Sequence, residues 1–452
     1  MIDKLAKGNA VVVGGGISGL LAAFLLSKQG LRVSLIEQAP ELGGLLRSVR
    51  SEPGDFFDMG THLVRGTGVE LIDEFFLHGI DDETWRKINP VVSGSFSFDS
   101  LNTQSPFIDA SLLAKDLYCK GEAELLEAGG ESTAGSADLY LKEMFGETFA
   151  SRAIIPALEK FYGCSAALLS PNAHELFGLN RILIADADRT KILKKEPRYD
   201  KKIGFRERSS AVNSFASYYP QKQGIGLWVR QLQSQLESLG VRILNNCSIA
   251  SFERSDDKII SATLSNGEQL KVDHLVWSVP AFLLLKTLGI ASVGERPKLR
   301  STTLFNFVFD TPPSTELMYF SCFNPNYKSF RVTMYSNLRA PEEGRYSCTV
   351  EVLHDPVDQA KITESMGEIA EELFSMGVFP REAKTVYSQA LPIGPGFPVM
   401  TPQFIATSRE HSKLCSAAAS NIYLCGKASG STFFMHDVLL ETHNVLKPIL
   451  AG

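Results

Sequence analysis

The sequence lacks paired cysteines and any excess of basic residues. Its seven cysteines are scattered along 452 residues, and no two of them form a Cys-x-x-Cys pair. This pattern argues against a disulfide framework or a metal site and favours a reducing compartment. Lysine and arginine total 45 against 51 acidic residues, a net charge of −6. We therefore expect neither a nucleic-acid partner nor attraction to an anionic membrane.

Uninterrupted hydrophobic runs are also scarce. Val11–Leu26 is apolar enough to resemble a signal peptide, but it contains four glycines and no small-residue cleavage site follows it. No other stretch reaches the roughly 18 apolar residues that a transmembrane helix needs. The sequence therefore predicts a cytoplasmic protein without a membrane span.

What the chain does contain is enough apolar sequence for a large core. Apolar residues make up 44% of the chain and charged residues 21%, which is ordinary for a globular protein. At roughly 100–200 residues per domain, the length suggests two or three domains.

A glycine-rich turn near the N-terminus carries the clearest chemical signal. Gly14-x-Gly16-x-x-Gly19 follows a short apolar strand, Ala10–Val13, and precedes an apolar helix, Leu20–Ser27. In this context the first glycine permits a sharp turn, the second lets a pyrophosphate approach, and the third allows close packing of helix and strand. The helix N-terminus, including Ile17 and Ser18, would offer N–H groups to the phosphates.

An acidic residue stands where a ribose would be recognised. Glu37 ends the second predicted strand, Leu31–Ile36, and Gln38 follows it. A carboxylate here can accept hydrogen bonds from both ribose hydroxyls and disfavours a 2′-phosphate. The first 40 residues therefore predict a βαβ dinucleotide-binding unit.

The middle of the chain has a different character. Residues 105–190 are mostly helical in pattern, whereas residues 300–355 alternate with period two. This alternation predicts an antiparallel sheet with one buried face. Its strands are Leu304–Phe309, Met318–Phe323, Phe330–Tyr335 and Ser347–Leu353. The basic run Lys191–Lys202 is interpreted as a solvated loop, the alternative being a lid over an anionic substrate.

A second glycine pair bears on the choice between FAD and NAD. Gly43-Gly44-Leu45-Leu46-Arg47 follows shortly after Glu37. With the first turn, this spacing resembles the FAD fingerprint of the amine oxidase and protoporphyrinogen oxidase superfamily. The resemblance implies that the glycine pair passes close to the flavin diphosphate and that Arg47 helps to neutralise it. FAD is therefore the expected cofactor.

Other segments resemble the same superfamily. The similarity implies that Gly60, Thr61 and His62 run along the flavin and that Ile249 contacts the adenine. It also implies that Gly426 and Lys427 hold the ribityl chain and diphosphate. The matching segments are Phe56–His62, Tyr219–Gly226, Asn246–Phe252, Asp273–Pro280 and Tyr423–Lys427.

Two regions are more similar to UDP-galactopyranose mutases. One is the stretch after Gly426, and the other is Phe330–Asn337, which resembles a mutase strand carrying a substrate-facing arginine, here Arg331. That resemblance implies a guanidinium gripping a diphosphate. The sequence departs from the mutase pattern at Lys427, where mutases have arginine, and where they have tyrosines, at Ser431, Phe433 and Phe434. Mutase activity therefore stays an alternative.

These resemblances lead to a specific expectation for the fold. It is α/β, with a Rossmann-like FAD-binding domain of glutathione-reductase type interleaved with an α+β substrate domain containing an antiparallel sheet and a helical insertion. The FAD-binding domain is expected to comprise residues 1–70, 220–295 and 400–452. The substrate domain would comprise residues 71–219 and 296–399.

The candidate catalytic residues are His62, Arg331 and His436. His62 would assist proton movement beside the flavin, or else be a hydrogen-bonded histidine at a strand end. Arg331 would anchor the substrate, or else be a salt-bridged strand arginine. His436 adjoins the stretch expected to face the flavin. The candidate cofactor-binding residues are Gly14, Gly16, Ile17, Ser18, Gly19, Glu37, Gln38, Gly43, Gly44, Leu45, Arg47, Gly60, Thr61, His62, Ile249, Gly426, Lys427, Phe434, Met435 and Asp437.

Three functions compete at this level. The first is an FAD-dependent oxidoreductase that transfers a hydride from a small molecule to flavin N5. The second is a mutase-like enzyme acting on a nucleotide sugar, an anionic substrate, with no net redox change. The third is a non-catalytic binding protein on the same fold, like the Rab GDP-dissociation inhibitors; the intact glycine and Glu37 set disfavours it. The oligomeric state is not evident from the sequence.

Overall fold

The computed structural model describes residues 7–208, 215–341, 343–430 and 433–451, so that Ser431 lies outside the described residues. In chain order, the strands of these residues are β1 Asn9–Val13, β2 Arg32–Ile36, β3 Ser48–Arg50, β4 Phe56–Asp58, β5 Val64–Arg65, β6 Trp85–Ile88, β7 Ser93–Ser97, β8 Ser100–Asn102, β9 Ile108–Asp109, β10 Ile182–Leu183, β11 Ser217–Pro220, β12 Arg242–Leu244, β13 Ile249–Ser255, β14 Lys258–Leu264, β15 Gln269–Lys271, β16 His274–Trp277, β17 Leu299–Phe309, β18 Tyr319–Cys322, β19 Ser329–Met334, β20 Tyr346–His354, β21 Thr385–Pro398 and β22 Ile422–Leu424.

The α-helices are α1 Ile17–Lys28, α2 Glu70–Phe76, α3 Lys115–Glu127, α4 Ala137–Phe145, α5 Glu147–Phe149, α6 Ile155–Tyr162, α7 Ala187–Leu193, α8 Pro197–Asp200, α9 Gly226–Ser238, α10 Ala281–Thr287, α11 Tyr335–Leu338, α12 Gln359–Thr363, α13 Met366–Ser375, α14 Pro402–Ala418 and α15 Met435–Leu450. Short 3₁₀ turns occupy Ala110–Leu112, Ala166–Leu168, Pro171–Phe177, Pro356–Asp358 and Gly426–Ala428, and a π-turn occupies Ala150–Ile154. Among the helices described, none has both the length and the apolar character that a membrane crossing needs.

A parallel sheet with the order β12-β2-β1-β16-β22 joins the two ends and the centre of the chain. Its strands are apolar on both faces, as expected for a parallel sheet covered on both sides. Val12 faces a core shared with α1, α9 and α15, whereas Val11 and Val13 face a second core shared with β14 and α10. The predicted βαβ unit is thus present, with β1 and β2 in parallel register from Asn9↔Arg32 to Val13↔Ile36.

A larger mixed sheet has the order β21-β17-β20-β19-β18-β7-β8. The strands predicted between residues 300 and 355 are present and pair in antiparallel fashion, whereas β18 and β7 are parallel. The expectation of one buried face is wrong. Phe307 packs into one core against α13, and its neighbour Val308 packs into the core shared with α1. The sheet residues outside the α13 core are buried against the segment that contains β4 and against the helical insertion.

Helices α3–α8 form an insertion with a core of its own. The basic run expected to be a solvated loop is partly folded into this core, because it contains the end of α7 and all of α8. Lys202 is fully buried, and its Nζ donates to the carbonyls of Leu125 (3.0 Å), Ala128 (3.1 Å) and Met144 (2.9 Å). Burial lowers the pKa of Lys202 to about 8. Lys202 therefore anchors this segment to α3 and α4 and is not a mobile surface charge.

Candidate cofactor and substrate site

The glycine-rich turn has three different spatial requirements. Gly14 adopts a φ of +100°, which favours glycine. A Cβ atom on Gly19 would lie 1.7 Å from the carbonyl oxygen of Gly14, so α1 can approach β1 only without one. A Cβ atom on Gly16 would meet nothing within 4 Å. The space beside Gly16 is therefore open, as a phosphate would require.

The N-terminus of α1 faces this turn without a capping side chain. Gly16 is its N-cap and no acidic residue occupies the first turn, while Ser18 is buried. The first N–H groups of a helix have no intrahelical acceptor, and the helix dipole adds partial positive charge there. This end of α1 has the chemistry of a phosphate-binding site.

Glu37 is oriented by main-chain amides at the end of β2. Its Oε2 accepts a hydrogen bond from Gly15 N (2.7 Å) and its Oε1 accepts one from Ala39 N (2.7 Å). Each carboxylate oxygen has a further lone pair for a ribose hydroxyl. Gln38 is exposed beside it. The carboxylate is thus fixed next to the turn, where the sequence predicted it.

The second glycine pair lies directly against the first turn. Gly43 N donates to Gly15 O (2.7 Å), and a Cβ atom on Gly44 would lie 3.6 Å from Gly16 Cα. Leu45, which follows, is exposed. Arg47 donates from Nε to the carbonyl of Gly44 at 2.9 Å, which holds its guanidinium over this loop.

The segment after β4 is anchored by a buried carboxylate, Asp58. Its Oδ1 accepts from Ser48 Oγ (2.6 Å) and Ile225 N (2.9 Å), and its Oδ2 accepts from Tyr219 Oη (2.7 Å). Burial nevertheless raises the pKa of Asp58. This anchor fixes Gly60–His62, which immediately follows it.

His62 lies in an environment that keeps its imidazole neutral. Its pKa is lowered to about 4, mainly by burial and secondarily by Arg331, while Glu351 and the carbonyls of Leu45 and Met59 oppose the shift. Among the described residues, Nε2 of His62 has no hydrogen-bond partner although it is buried. A buried ring nitrogen without a partner is costly, and a bound group could satisfy it.

Two strands of the mixed sheet place an ion pair beside Gly60 and His62. Arg331 on β19 is directly opposite Glu351 on β20, and the two form a bidentate pair, Nε–Oε1 at 2.7 Å and Nη2–Oε2 at 2.8 Å. A Cβ atom on Gly60 would lie 3.2 Å from His62 Nε2 and 3.8 Å from Arg331 Nη2. His62 and Arg331 therefore flank Gly60, and Arg331 is salt-bridged to Glu351.

Thr61 completes the contact between this segment and the sheet. Its hydroxyl forms a hydrogen bond with the hydroxyl of Thr333, which lies two residues after Arg331 on β19. Sequence reasoning missed Thr333 and Glu351, and it included Asp58 only as part of the matching segment Phe56–His62. Only the alternation of polar residues at every second position of β19 and β20 could have indicated a polar sheet face.

The C-terminal candidates divide into two groups. Gly426 lies against the first turn of α1, since a Cβ atom there would lie 2.4 Å from Ser18 Oγ, and Lys427 beside it is exposed. Phe434, His436 and Asp437 are exposed at the start of α15, and Met435 is half-buried. Asp437 lies in the first turn of α15, which begins at Met435 and has Phe434 as its N-cap.

The last candidate, Ile249, begins β13. It is half-buried against the core that contains Val11 and Val13. Cys247, two residues earlier, donates its N–H to the carbonyl of Glu37 at 2.9 Å. This bond places the start of β13 beside the end of β2.

Comparison with known proteins identifies the family. The model of flavin-containing amine oxidoreductases matches residues 17–305. The chain belongs to this family. This membership confirms the predicted cofactor, FAD, and the prediction that the chain is a flavoenzyme.

Several individual proteins resemble this chain at low overall identity. Human protoporphyrinogen oxidase is 24% identical over 312 residues, which cover 62% of this chain and 61% of the relative. The chain thus spans about three fifths of the length of such curated relatives. In structure, it resembles reduced UDP-galactopyranose mutase with a TM-score of 0.77 and 18% identity, covering 98% and 95% of the two chains. Wild-type putrescine oxidase bound to putrescine follows with a TM-score of 0.59 and 13% identity, covering 99% and 100%. These likenesses show the fold shared by FAD-dependent amine oxidases and mutases.

Proposed function

We propose that this chain is an FAD-dependent oxidoreductase that removes a hydride from a small-molecule substrate. The observation that supports this most is one continuous line of contacts. It runs from the glycine-rich turn through the bond of Gly43 to Gly15, past Leu45 to His62, and ends at Arg331. Such a line suits an extended dinucleotide whose two ends need different surroundings.

The residues that would hold the cofactor follow from this line. In this proposal, the turn Gly14–Gly19 and the start of α1 bind the diphosphate in the manner of a glutathione-reductase-type Rossmann domain. Glu37 and Gln38 bind the ribose, and Ile249 lies at the adenine. The open space at Gly16 and the uncapped end of α1 fit these roles. The other contacts would come from Gly43, Gly44, Leu45, Arg47, Gly60, Thr61, Gly426, Lys427, Phe434, Met435 and Asp437.

The residues at the other end of the line would orient the substrate. When bound, FAD supplies a hydride acceptor, so the chain itself needs no strong acid or nucleophile for that step. His62, neutral at pH 7, can donate or accept one hydrogen bond through Nε2 beside the reacting group. Arg331 would contact the substrate, and His436 would lie at the edge of the site.

The domain assignment remains part of the proposal. Residues 1–70, 220–295 and 400–452 would bind FAD, and residues 71–219 and 296–399 would form the substrate side. The parallel sheet draws its strands from the first set, and the mixed sheet draws its strands from the second. Both sets meet where Thr61 bonds Thr333.

The experiment is an anaerobic titration of the purified yellow protein with amines, porphyrinogens and nucleotide sugars. Bleaching of the visible flavin band by one class would establish the oxidoreductase and identify the kind of electron donor. Free FAD at the same concentration, titrated with the same donors, is the control for non-specific reduction. Failure of every donor class to bleach the flavin would contradict a hydride-removing function for these substrates.

A mutase-like reaction is the second candidate, since the fold is similar to that of UDP-galactopyranose mutase. In this reaction the flavin would act in its reduced form and the substrate would not be oxidised overall. After dithionite reduction, conversion of a nucleotide sugar by a protein that no donor bleaches would favour this candidate. Conversion that also proceeds with oxidised protein would contradict it.

A further inference from the structure

Arg331, which is expected to bind substrate, forms a short bidentate ion pair with Glu351. The two residues face each other across adjacent strands, and both guanidinium–carboxylate bonds are shorter than 3 Å. The Glu351 side chain is only 4% exposed, whereas that of Arg331 is 26% exposed. The Glu351 carboxylate is therefore shielded from solvent, whereas one edge of the Arg331 guanidinium remains accessible.

The pair leaves Arg331 with hydrogen-bonding capacity but little net charge. Nε and Nη2 are engaged by the two oxygens of Glu351, while Nη1 has no partner among the described residues. A bidentate carboxylate neutralises a guanidinium locally and fixes the plane of its fork. The free edge can thus donate to a neutral oxygen, whereas its attraction for an anion is largely cancelled.

Among the described residues, the neighbours of this pair include a histidine, together with three hydroxyl side chains on β18, β19 and β20, which are uncharged at pH 7. His62 is neutral at pH 7, because its pKa is lowered to about 4. Ser321 lies opposite Arg331 on β18, and Thr349 and Thr333 are the adjacent cross-strand pair on the same sheet face. This face therefore offers hydroxyls and one guanidinium edge, which suit an uncharged polar group.

We propose that Glu351 is a specificity-determining residue that makes the site prefer a neutral oxygen acceptor, such as a carbonyl or hydroxyl, over an anion at Arg331. This inference rests on the proposed function, because it concerns the substrate side of the same site. It differs from the role that the mutase resemblance implied for Arg331, which was to bind a diphosphate. A nucleotide sugar would have to place its diphosphate elsewhere.

The test is a titration of the FAD-loaded protein with inorganic pyrophosphate, followed by the flavin absorption spectrum and by the thermal midpoint. The wild type should show no saturable change that depends on Arg331. Glu351→Gln keeps the size of the side chain but removes its charge. This variant should gain saturable binding, at least about 10-fold tighter than any in the wild type, as expected for a released guanidinium. The double variant Glu351→Gln/Arg331→Gln should lose it again.

Two results would overturn the inference. One is saturable pyrophosphate binding by the wild type that Arg331→Gln abolishes, and this comparison stands even if Glu351→Gln fails to fold. The other is a folded, yellow Glu351→Gln variant that gains no pyrophosphate binding. Neither result bears on whether donors bleach the flavin, so failure of this inference is distinguishable from failure of the proposed function.

Discussion

The two ends of the candidate site are built by different means. At the parallel sheet, the proposed recognition would rely mainly on the main chain: the amides of Gly15 and Ala39 that orient Glu37, the open space at Gly16 and the uncapped start of α1. At the mixed sheet, it relies on side chains that meet across strands, above all Arg331 with Glu351. Main-chain sites tolerate little change, because an added Cβ atom either clashes with the backbone, as at Gly19, or fills the space that a ligand would need, as at Gly16. Side-chain sites can change chemistry while the sheet is retained.

The largest expected effect is a difference in stability between alanine variants of two glycines in the same turn, Gly19 and Gly16. Gly19→Ala places a Cβ atom 1.7 Å from the carbonyl oxygen of Gly14, which overpacks the contact of α1 with β1. We expect about 3 kcal/mol or more of destabilisation and loss of bound flavin, measured by denaturant unfolding and by flavin absorbance. Gly16→Ala is the matched control, because its Cβ atom meets nothing within 4 Å. It should fold normally but bind FAD more weakly; equal stability of the two variants would contradict this account.

The next effect concerns the ribose end alone. Glu37→Arg removes the acceptor for Gly15 N and Ala39 N and places a positive charge at the end of β2. Hydrogen bonds to charged groups contribute about 1.5–3 kcal/mol each, so FAD binding should weaken at least about 100-fold. Flavin content after gel filtration measures this. Glu41→Arg, at an exposed position nearby, makes the same charge change and should retain FAD. Full flavin content in Glu37→Arg would refute the ribose assignment.

A smaller effect tests the neutral histidine on the substrate side. Because the pKa of His62 is lowered from 6.5 to about 4, the unfolded chain binds a proton between these pH values and the folded chain does not. The free energy of unfolding should therefore keep its full value above pH 6.5 and fall as the pH approaches 4. His62 should account for up to about 3 kcal/mol of this fall. Denaturant unfolding of His62→Asn should show a weaker loss than the wild type over this range. His78→Asn, at an exposed histidine, should behave like the wild type. An unchanged pH dependence in His62→Asn would place the titration elsewhere.

The smallest effect probes the contact between the two regions. Thr333→Val removes one partner of the hydroxyl pair with Thr61 and should cost about 1 kcal/mol. Thr61→Val/Thr333→Val should recover part of that loss, since no polar group is then left unpaired. A double-mutant cycle by denaturant unfolding measures the coupling. Strictly additive costs would show that the bond does not link the regions.

Sequence reasoning succeeded where the determining interactions are local. The spacing Gly14-x-Gly16-x-x-Gly19 and the position of Glu37 depend on one turn and two short strands, so they were predictable. The period-two pattern likewise predicted β17–β20. The resemblance to a family then supplied the cofactor, which the residues alone left between NAD and FAD.

The rest depends on contacts between distant parts of the chain. Glu351 is 20 residues from Arg331 and becomes its partner only through the register of β19 with β20. Lys202 looked like a surface charge, but carbonyls of α3 and α4 bury it. No local pattern encodes the buried second face of the mixed sheet, because that burial comes from the segment around β4 and from the helical insertion.

The most direct test of the central claim is the visible absorption spectrum of the purified protein titrated with FAD. If the glycine-rich turn, Glu37 and the second glycine pair hold the cofactor, the protein should bind one FAD per chain and show a flavin band shifted from that of free FAD. A folded, colourless protein that takes up no added FAD would contradict the account.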